Sequence, residues 1–420
     1  RRRGANTLFR NDGDGFTDVT ATAGVGDPGK GSSATWGDYD GDSFLDLYVV
    51  NWSCHPECDP VDLALAEDRL YHNNGDGTFT DVSDLLIAEK LQGAGFTASF
   101  GDFDDDGDPD LYVVNDALMN PIGNVYWRND GPDTNGECSG WCWTDASAEN
   151  GAGTVVEGMG LAVGDYDNDL DLDFYYTNMV NPSELLQNLG GGTFTDVAEH
   201  AGVDTINGAT VGWGASFFDY DNDGWLDLFM ATTEFRRSDP NQPPDGMHFG
   251  HPNLLYHNTG NNDGNGTSGA PTFTNVTPAT WYEVPRSSMG IAYADYDQDG
   301  RVDFVTGDWN QGYVLYRNVS KAGADHHWFA AHLVGDGPVN RDAAGARLYL
   351  TDSNGKMQLR EVRIGSSLGA GEETDLYFGL GMATVAEARV VWPDGTSVTF
   401  TELPVNERWY LTYPDQEGMN

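Results

Sequence analysis

The sequence predicts an all-β chain, a β-propeller followed by a small β-sandwich. Three observations predict it. An aspartate-rich stretch ending in an apolar strand occurs five times. A strand–turn–strand pattern alternates with it. The final part of the chain is built of alternating apolar and polar residues broken at Asn-Gly and Asp-Gly turns.

The first repeat reads WGDYDGDSFLDLYVVN from Trp36 to Asn51. The others are FGDFDDDGDPDLYVVN (Phe100–Asn115), VGDYDNDLDLDFYYTN (Val163–Asn178), FFDYDNDGWLDLFMAT (Phe217–Thr232) and YADYDQDGRVDFVTGD (Tyr293–Asp308). Their first aspartates are 64, 63, 54 and 76 residues apart. Between them lie hairpins such as RLYHNNGDGTFTDVS (Arg69–Ser83) and LLQNLGGGTFTDVAE (Leu185–Glu199), with stretched versions beginning at Val125 and Leu254 and a half-copy at Val314. One unit is therefore four short strands, which is what a propeller blade requires. Five units favour five or six blades; seven would need blades of about 46 residues, shorter than every spacing seen. The fifth unit lacks its own outer strand. The orphan hairpin TLFRNDGDGFTDVT (Thr7–Thr20) is expected to close the ring onto it. The propeller is assigned to residues 1–322 and the sandwich to 323–420. In the latter, ARLYLTDSNGKMQLREVRI turns at Asn354-Gly355, and ARVVWPDGTSVTFTEL turns at Pro393-Asp394-Gly395.

Aspartate is a poor strand residue, and a run of carboxylates repels itself, so something must offset the cost of the repeat. Numbered from the first Asp, carboxylates recur at positions 1, 3, 5 and 9. Alternate residues of a tight loop can aim their oxygens at one point, the arrangement a hard cation with six to eight oxygen ligands needs. The expected ligands are Asp38, Asp40, Asp42 and Asp46; Asp102, Asp104, Asp106 and Asp110; Asp165, Asp167, Asp169 and Asp173; Asp219, Asp221, Asp223 and Asp227; and Asp295, Asp297, Asp299 and Asp303. The expected cofactor is Ca²⁺, about five ions; Mg²⁺ fits less well because it keeps more of its water. Position 6 should be Gly for a sharp turn. It is Gly107, Gly224 and Gly300, but Ser43 and Leu170 in the other two copies. The alternative is that these Asp-Gly loops are plain turns.

Charge bounds the partners. With 67 acidic and 21 basic residues the net charge is −46, the wrong sign for nucleic acid. Bound cations or adaptation to high salt both suit it. No apolar run reaches the roughly 18 residues of a membrane span. The start RRRGANTLF, without Met, reads as a processed or trimmed end. Four cysteines form two local pairs, Cys54/Cys58 and Cys138/Cys142. Disulfides in an oxidising compartment are expected, with a four-thiolate zinc site as the alternative and three pairings open.

The repeats resemble the FG-GAP/VCBS repeats of integrin-α-type propellers over about residues 1–320. NRDAAGARLYL (Asn340–Leu350), REVRIGSSLGAGEETDLYFGLG (Arg360–Gly381) and VVWPDGTSVTF (Val390–Phe400) resemble the ASPIC/UnbV domain of the cartilage acidic protein family. The resemblance implies a secreted, calcium-binding protein with matrix or adhesion roles, and no particular reaction.

Nothing in the residues themselves announces catalysis. There is no G-x-S-x-G, P-loop or H-E-x-x-H. His248, His251 and His257 make the densest histidine cluster; His326, His327 and His332 mark the domain junction, where packing is the expected role. Sequons occur at Asn51, Asn265, Asn275 and Asn318. The favoured function is an extracellular or cell-surface module, the periplasm also being admissible. It would bind a protein or glycan of the surface or matrix, or assemble with itself. Its long loops Trp52–Asp68 and Glu234–Asn253 are the candidate contacts. The alternative is an enzyme, a polysaccharide lyase or hydrolase or a cyclase, using the propeller face or central channel.

Overall fold

A computed structural model describes residues 6–52, 66–118, 120–136, 138–179, 182–204, 210–235, 248–260, 271–309, 312–321, 323–368 and 371–413. A short hairpin, β1 (Phe9–Asn11) and β2 (Phe16–Asp18), comes first. Five meander sheets follow. Blade 1 is β3 (Gly31–Gly37), β4 (Asp46–Asn51), β5 (Arg69–Asn73) and β6 (Phe79–Asp81). Blade 2 is β7 (Gly95–Gly101), β8 (Asp110–Asn115), β9 (Val125–Pro132) and β10 (Trp141–Asp145). Blade 3 is β11 (Gly158–Gly164), β12 (Asp173–Asn178), β13 (Glu184–Asn188) and β14 (Phe194–Asp196). Blade 4 is β15 (Thr210–Phe218), β16 (Asp227–Phe235), β17 (His248–Gly250), β18 (Leu254–Asn258) and β19 (Phe273–Asn275). Blade 5 has β20 (Ser288–Ala294), β21 (Asp303–Asp308) and β22 (Gly312–Tyr316).

Each Asp repeat spans the turn from the innermost strand of a blade to the second. The innermost strands β3, β7, β11, β15 and β20 stand side by side in that order. Glycine lets them approach: a Cβ at Gly160 would lie 2.2 Å from the Trp213 carbonyl oxygen. In the first three repeats the aromatic residue at position 2 packs against the next blade. Tyr39 meets Trp141 and Trp143, Phe103 meets Phe174, and Tyr166 meets Phe273. A hydrogen bond reinforces each seam. The hairpin asparagines Asn129, Asn188, Asn258 and Asn318 donate from Nδ2 to the carbonyls of Tyr39, Phe103, Tyr166 and Tyr220, at 2.8–2.9 Å.

The ring does not close as expected. The β1–β2 hairpin forms a sheet of its own and does not extend blade 5, where β22 pairs with β21. Instead Leu8 and Val19 pack against Leu47, Val49 and Tyr71 of blade 1, as Leu70 packs against blade 2. The hairpin therefore stacks on blade 1, like the outer half of a preceding blade. Tyr296, the fifth position-2 aromatic, is left 51% exposed.

The C-terminal strands are β23 (His327–Val334), β24 (Arg347–Asp352), β25 (Met357–Glu361), β26 (Gly371–Glu372), β27 (Asp375–Gly381), β28 (Val385–Val391), β29 (Ser397–Thr401) and β30 (Glu407–Thr412). They form two sheets, β27-β23-β30 and β25-β24-β28-β29. One apolar core including Phe329, Leu348, Phe378 and Trp392 lies between them, as a small β-sandwich requires.

The connection from β25 to β27 leaves the sandwich and enters the propeller axis. Ile364 bridges Trp36 of β3, and Trp36 N donates to its carbonyl at 2.9 Å. Ser367 Oγ accepts from Leu161 N of β11 and, at 3.0 Å, from Ala215 N of β15. Arg363 Nη2 donates to Val163 O at 2.7 Å, and β26 runs parallel to β20. The cavity left around this segment measures about 40 Å³.

Among the described residues no helix is long and apolar enough to cross a membrane. Cys138 and Cys142 form a disulfide; Cys54 and Cys58 lie outside the described residues, as does most of both long loops. Two sequons are unsuited to modification in the folded chain. Asn51 is fully buried and donates to Asp27 and the Glu67 carbonyl, and Asn318 is engaged in the blade seam.

Candidate metal centres

The five Asp loops share one hydrogen-bonding plan, which follows from their spacing. The position 1 carboxylate turns back over its own loop. Asp38 accepts from Asp42 N (3.0 Å) and Ser43 N (2.9 Å), Asp219 from Asp223 N and Gly224 N, and Asp295 from Asp299 N and Gly300 N. Asp165 accepts from Asp169 N at 3.0 Å, and Asp102 is held by Gly107 N. Position 5 closes a smaller turn: Asp42, Asp106, Asp169, Asp223 and Asp299 accept from the backbone two residues on, at 2.8–3.1 Å. Position 9 starts the second strand of the blade and joins the loop to the hairpin. Asp46, Asp110, Asp173, Asp227 and Asp303 accept from the backbone N of Asn73, Asn129, Asn188, Asn258 and Asn318, at 2.6–2.8 Å.

Position 3 is different. Oδ1 of Asp40, Asp104, Asp167 and Asp221 is buried and has no hydrogen-bond partner. Asp165 Oδ2 and Asp303 Oδ2 are in the same state, in residues that are almost wholly buried. Buried polar atoms without partners are costly. In each of the first two loops, one carboxylate oxygen from positions 1, 3 and 5 lies within 4.8 Å of the other two. An all-oxygen donor set with buried, unpartnered oxygens fits Ca²⁺.

The electrostatics agree with that fit. Burial, with repulsion from Asp42 and Asp40, pushes Asp38 up to about 7. Burial pushes Asp46 up to about 9. Asp102, Asp165 and Asp227 are each raised to about 7, chiefly by burial. Asp110, Asp173 and Asp219 are raised for the same first reason. The sign of the linkage follows. With raised values, the metal-free fold holds more protons than the unfolded chain, so its stability falls as pH rises from about 4 through 7–9, by at most about 1.4 kcal/mol per group per pH unit. Chelated protein is expected to melt lower at pH 8 than at pH 5. Calcium-loaded protein, its carboxylates held ionised by the metal, should lose this slope. Calorimetry across pH with and without chelator checks this; parallel curves would contradict it.

Position 6 has positive φ in every copy: 97° at Gly107, 85° at Gly224, 84° at Gly300, but also 73° at Ser43 and 80° at Leu170. Leu170 has compensation, since its side chain packs on the cluster of Phe103, Phe174 and Leu359. Ser43 has no such contact. Ser43→Gly is expected to raise stability by about 1 kcal/mol, read by urea denaturation; a lower midpoint would show that the serine conformation is unstrained.

Sequence reading missed the residue before each hairpin asparagine: His72, Arg128, Gln187, His257 and Arg317. The strand register brings each of them to its loop. His72 Nδ1 lies 3.2 Å from Asp40, Gln187 Nε2 donates to Asp167 at 2.6 Å, and Arg317 Nε lies 2.6 Å from Asp297. His257 Nδ1 is 3.8 Å from Asp221 and 3.1 Å from Asp227, while Arg128 acts on Asp104 through its charge. The signal was the recurrent triplet YHN, WRN, LQN, YHN, YRN. The histidines grouped in the sequence go separate ways: His257 faces its Asp loop, whereas His251 bonds to Thr210 and Thr232. At the junction, His332 pairs with Asp375 at 2.7 Å and His326 with the Asp221 carbonyl at 2.8 Å.

The C-terminal sandwich rests on the same loops. Arg347, 7% exposed, reaches Glu361 Oε2 at 2.8 Å, Asp105 Oδ1 at 2.5 Å and the Asp102 carbonyl. Lys356 Nζ donates to the Gly224 carbonyl at 2.7 Å, and Gly381 N to that of Asn222 at 2.8 Å.

Comparison with known proteins agrees with these two parts. The FG-GAP-like repeat family matches residues 1–49, 61–113 and 165–230, and the ASPIC and UnbV family matches 336–418. Cartilage acidic protein 1 of Xenopus tropicalis is 24% identical over 90% of this chain and 64% of its own length. The human protein is 23% identical over 93% and 64%. The chain thus spans under two thirds of these relatives. Among solved structures, the exotype rhamnogalacturonan lyase YesX aligns with TM-score 0.32 and 13% identity over 91% of this chain and 62% of that one. The Vibrio cholerae biofilm matrix protein Bap1 aligns with TM-score 0.26 and 10% identity over 89% and 59%. Scores of that size carry no argument about function. The repeats and the tail, found by motif, by geometry and by family match, make this chain an FG-GAP-repeat propeller joined to an ASPIC/UnbV domain, similar to cartilage acidic protein 1 over most of its length.

Proposed function

We propose that the protein is an extracellular, calcium-stabilised propeller that binds a protein or glycan of the cell surface or matrix, or assembles with copies of itself. The observation that carries the reading is the filled axis. The central channel is where an enzyme of this architecture would take a polysaccharide, and here Arg363 to Ser367 occupies it by bonding to the inner strands. Calcium has a structural part in this reading: it neutralises ten of the 46 net negative charges and stiffens the loops on which the sandwich rests. The strongly acidic surface that remains suits a cationic partner. The similarity to cartilage acidic protein 1 supports an extracellular setting.

Solid-phase binding to immobilised matrix proteins and glycans, in calcium and in chelator, tests the proposal, with sedimentation velocity run alongside. Saturable, chelator-sensitive retention or self-association is the expected result. Release of unsaturated or reducing ends from a polysaccharide, without stable retention on any surface, would favour the lyase or hydrolase reading instead.

A further inference from the structure

The five loops share their carboxylates but not the side chain that leans over them. Blades 1 and 4 present an imidazole, blades 2 and 5 a guanidinium, and blade 3 an amide. A guanidinium has no lone pair to offer a metal, whereas a neutral imidazole has one. In blade 1, one oxygen each of Asp40 and Asp46 and a ring nitrogen of His72 lie within 4.8 Å of one another; in blade 4, Asp221, Asp227 and His257 do the same.

In blade 1 the distances are those of a coordination polyhedron, whereas in blade 4 His257 Nδ1 hydrogen-bonds to Asp227 Oδ1 at 3.1 Å and stands 3.8 Å from Asp221 Oδ2. His72 Nδ1 is 3.2 Å from Asp40 Oδ2 and 3.3 Å from Asp46 Oδ1, yet hydrogen-bonds to neither and is buried. Neighbouring donors around a tetrahedral ion with bonds of about 2.0–2.1 Å stand about 3.3 Å apart. In blade 4 a second, independent sign is present: Asp221 is 8% exposed, and its Oδ1 is buried without a hydrogen-bond partner.

Calcium takes oxygen donors, while imidazole with carboxylate suits first-row transition ions. We propose that the loops of blades 1 and 4 are mixed carboxylate–imidazole sites that bind a first-row transition ion such as Zn²⁺, through Asp40, Asp46 and His72 and through Asp221, Asp227 and His257, in competition with Ca²⁺. This rests on the reading of the loops as cation sites. The other three loops, lacking the nitrogen, are selective for the hard cation.

The test uses the full chain saturated with Ca²⁺ and dialysed against Zn²⁺, both metals being counted. In the wild type, Zn²⁺ is expected to displace two Ca²⁺ per chain. In the double variant His72→Gln/His257→Gln, which copies the amide that blade 3 already carries, Zn²⁺ affinity at these loops is expected to fall about tenfold or more, with Ca²⁺ stoichiometry unchanged. Gln187→His supplies the converse and does not depend on the double variant folding: it should create a third exchangeable site. Equal Zn²⁺ retention and Ca²⁺ displacement by wild type and double variant, or no gain in Gln187→His, would overturn the proposal and leave the histidines as donors that merely orient Asp40 and Asp227. Histidine-dependent Zn²⁺ binding in a chain that holds no Ca²⁺ would support this inference while sinking the calcium reading, so the two failures are distinct.

Discussion

In excess chelator the protein is expected to melt tens of degrees lower than in millimolar calcium. Each site at a hundred times its Kd contributes about 2.7 kcal/mol, and five such sites about 13 kcal/mol, comparable to the whole stability of many domains. The structural cause is the four-carboxylate geometry repeated in five blades, in which one position 3 oxygen, Oδ1, has no hydrogen-bond partner in four blades. Without a cation, burial and mutual repulsion act against the loops that link the two innermost strands of each blade. Metal analysis of the purified protein together with scanning calorimetry checks this. About five bound ions and a collapsed midpoint on chelation are the expected result. An unchanged midpoint would mean that the loops are ordinary turns and that the acidity reflects salt adaptation.

Arg347→Ala should cost about 3–5 kcal/mol. Arg347 is almost fully buried between the sandwich and blade 2, and its loss takes the ion-pair partner from Glu361, 4% exposed. It also removes the contacts to Asp105 and to the Asp102 carbonyl that hold the sandwich on the propeller. The readouts are the denaturation midpoint and the rate of proteolysis between the two parts, and both should worsen. The paired change Arg347→Met/Glu361→Gln should recover part of the loss, since the most deeply buried charge, that of Glu361, goes with its partner. If the single variant is as stable as the wild type, Arg347 is a surface-like pair and does not anchor the sandwich.

The propeller and its loops were legible in the sequence because both are local. A blade is one contiguous run, and positions 1, 3, 5 and 9 fall within a single turn, so period and spacing carry the information. The strained position 6 residues Ser43 and Leu170 were readable for the same reason. What escaped was non-local. His72 approaches Asp40 because β4 pairs with β5 across a connection that differs in every blade. The destination of REVRIGSSLGAGEE was also hidden. Its residues alternate like an ordinary strand and turn, and nothing in them announces hydrogen bonds to Trp36, Leu161 and Ala215. The ring-closing role expected of Thr7–Thr20 failed because its contacts go to blade 1: Leu8 and Val19 pack on Leu47, Val49 and Tyr71, and Asn6 N donates to Asp27 O.

The segment on the axis has a kinetic consequence. Thr35 in the first blade bonds to Ile364, 329 positions later, and Arg363 reaches back 200 positions to Val163. Contacts of such sequence separation form late, after long loops have been closed at entropic cost. In a nascent chain the inner strands of the five blades are therefore all made before the segment Arg363 to Ser367 that bonds to them. The interval before that insertion is when exposed inner strands are most open to pairing with another chain.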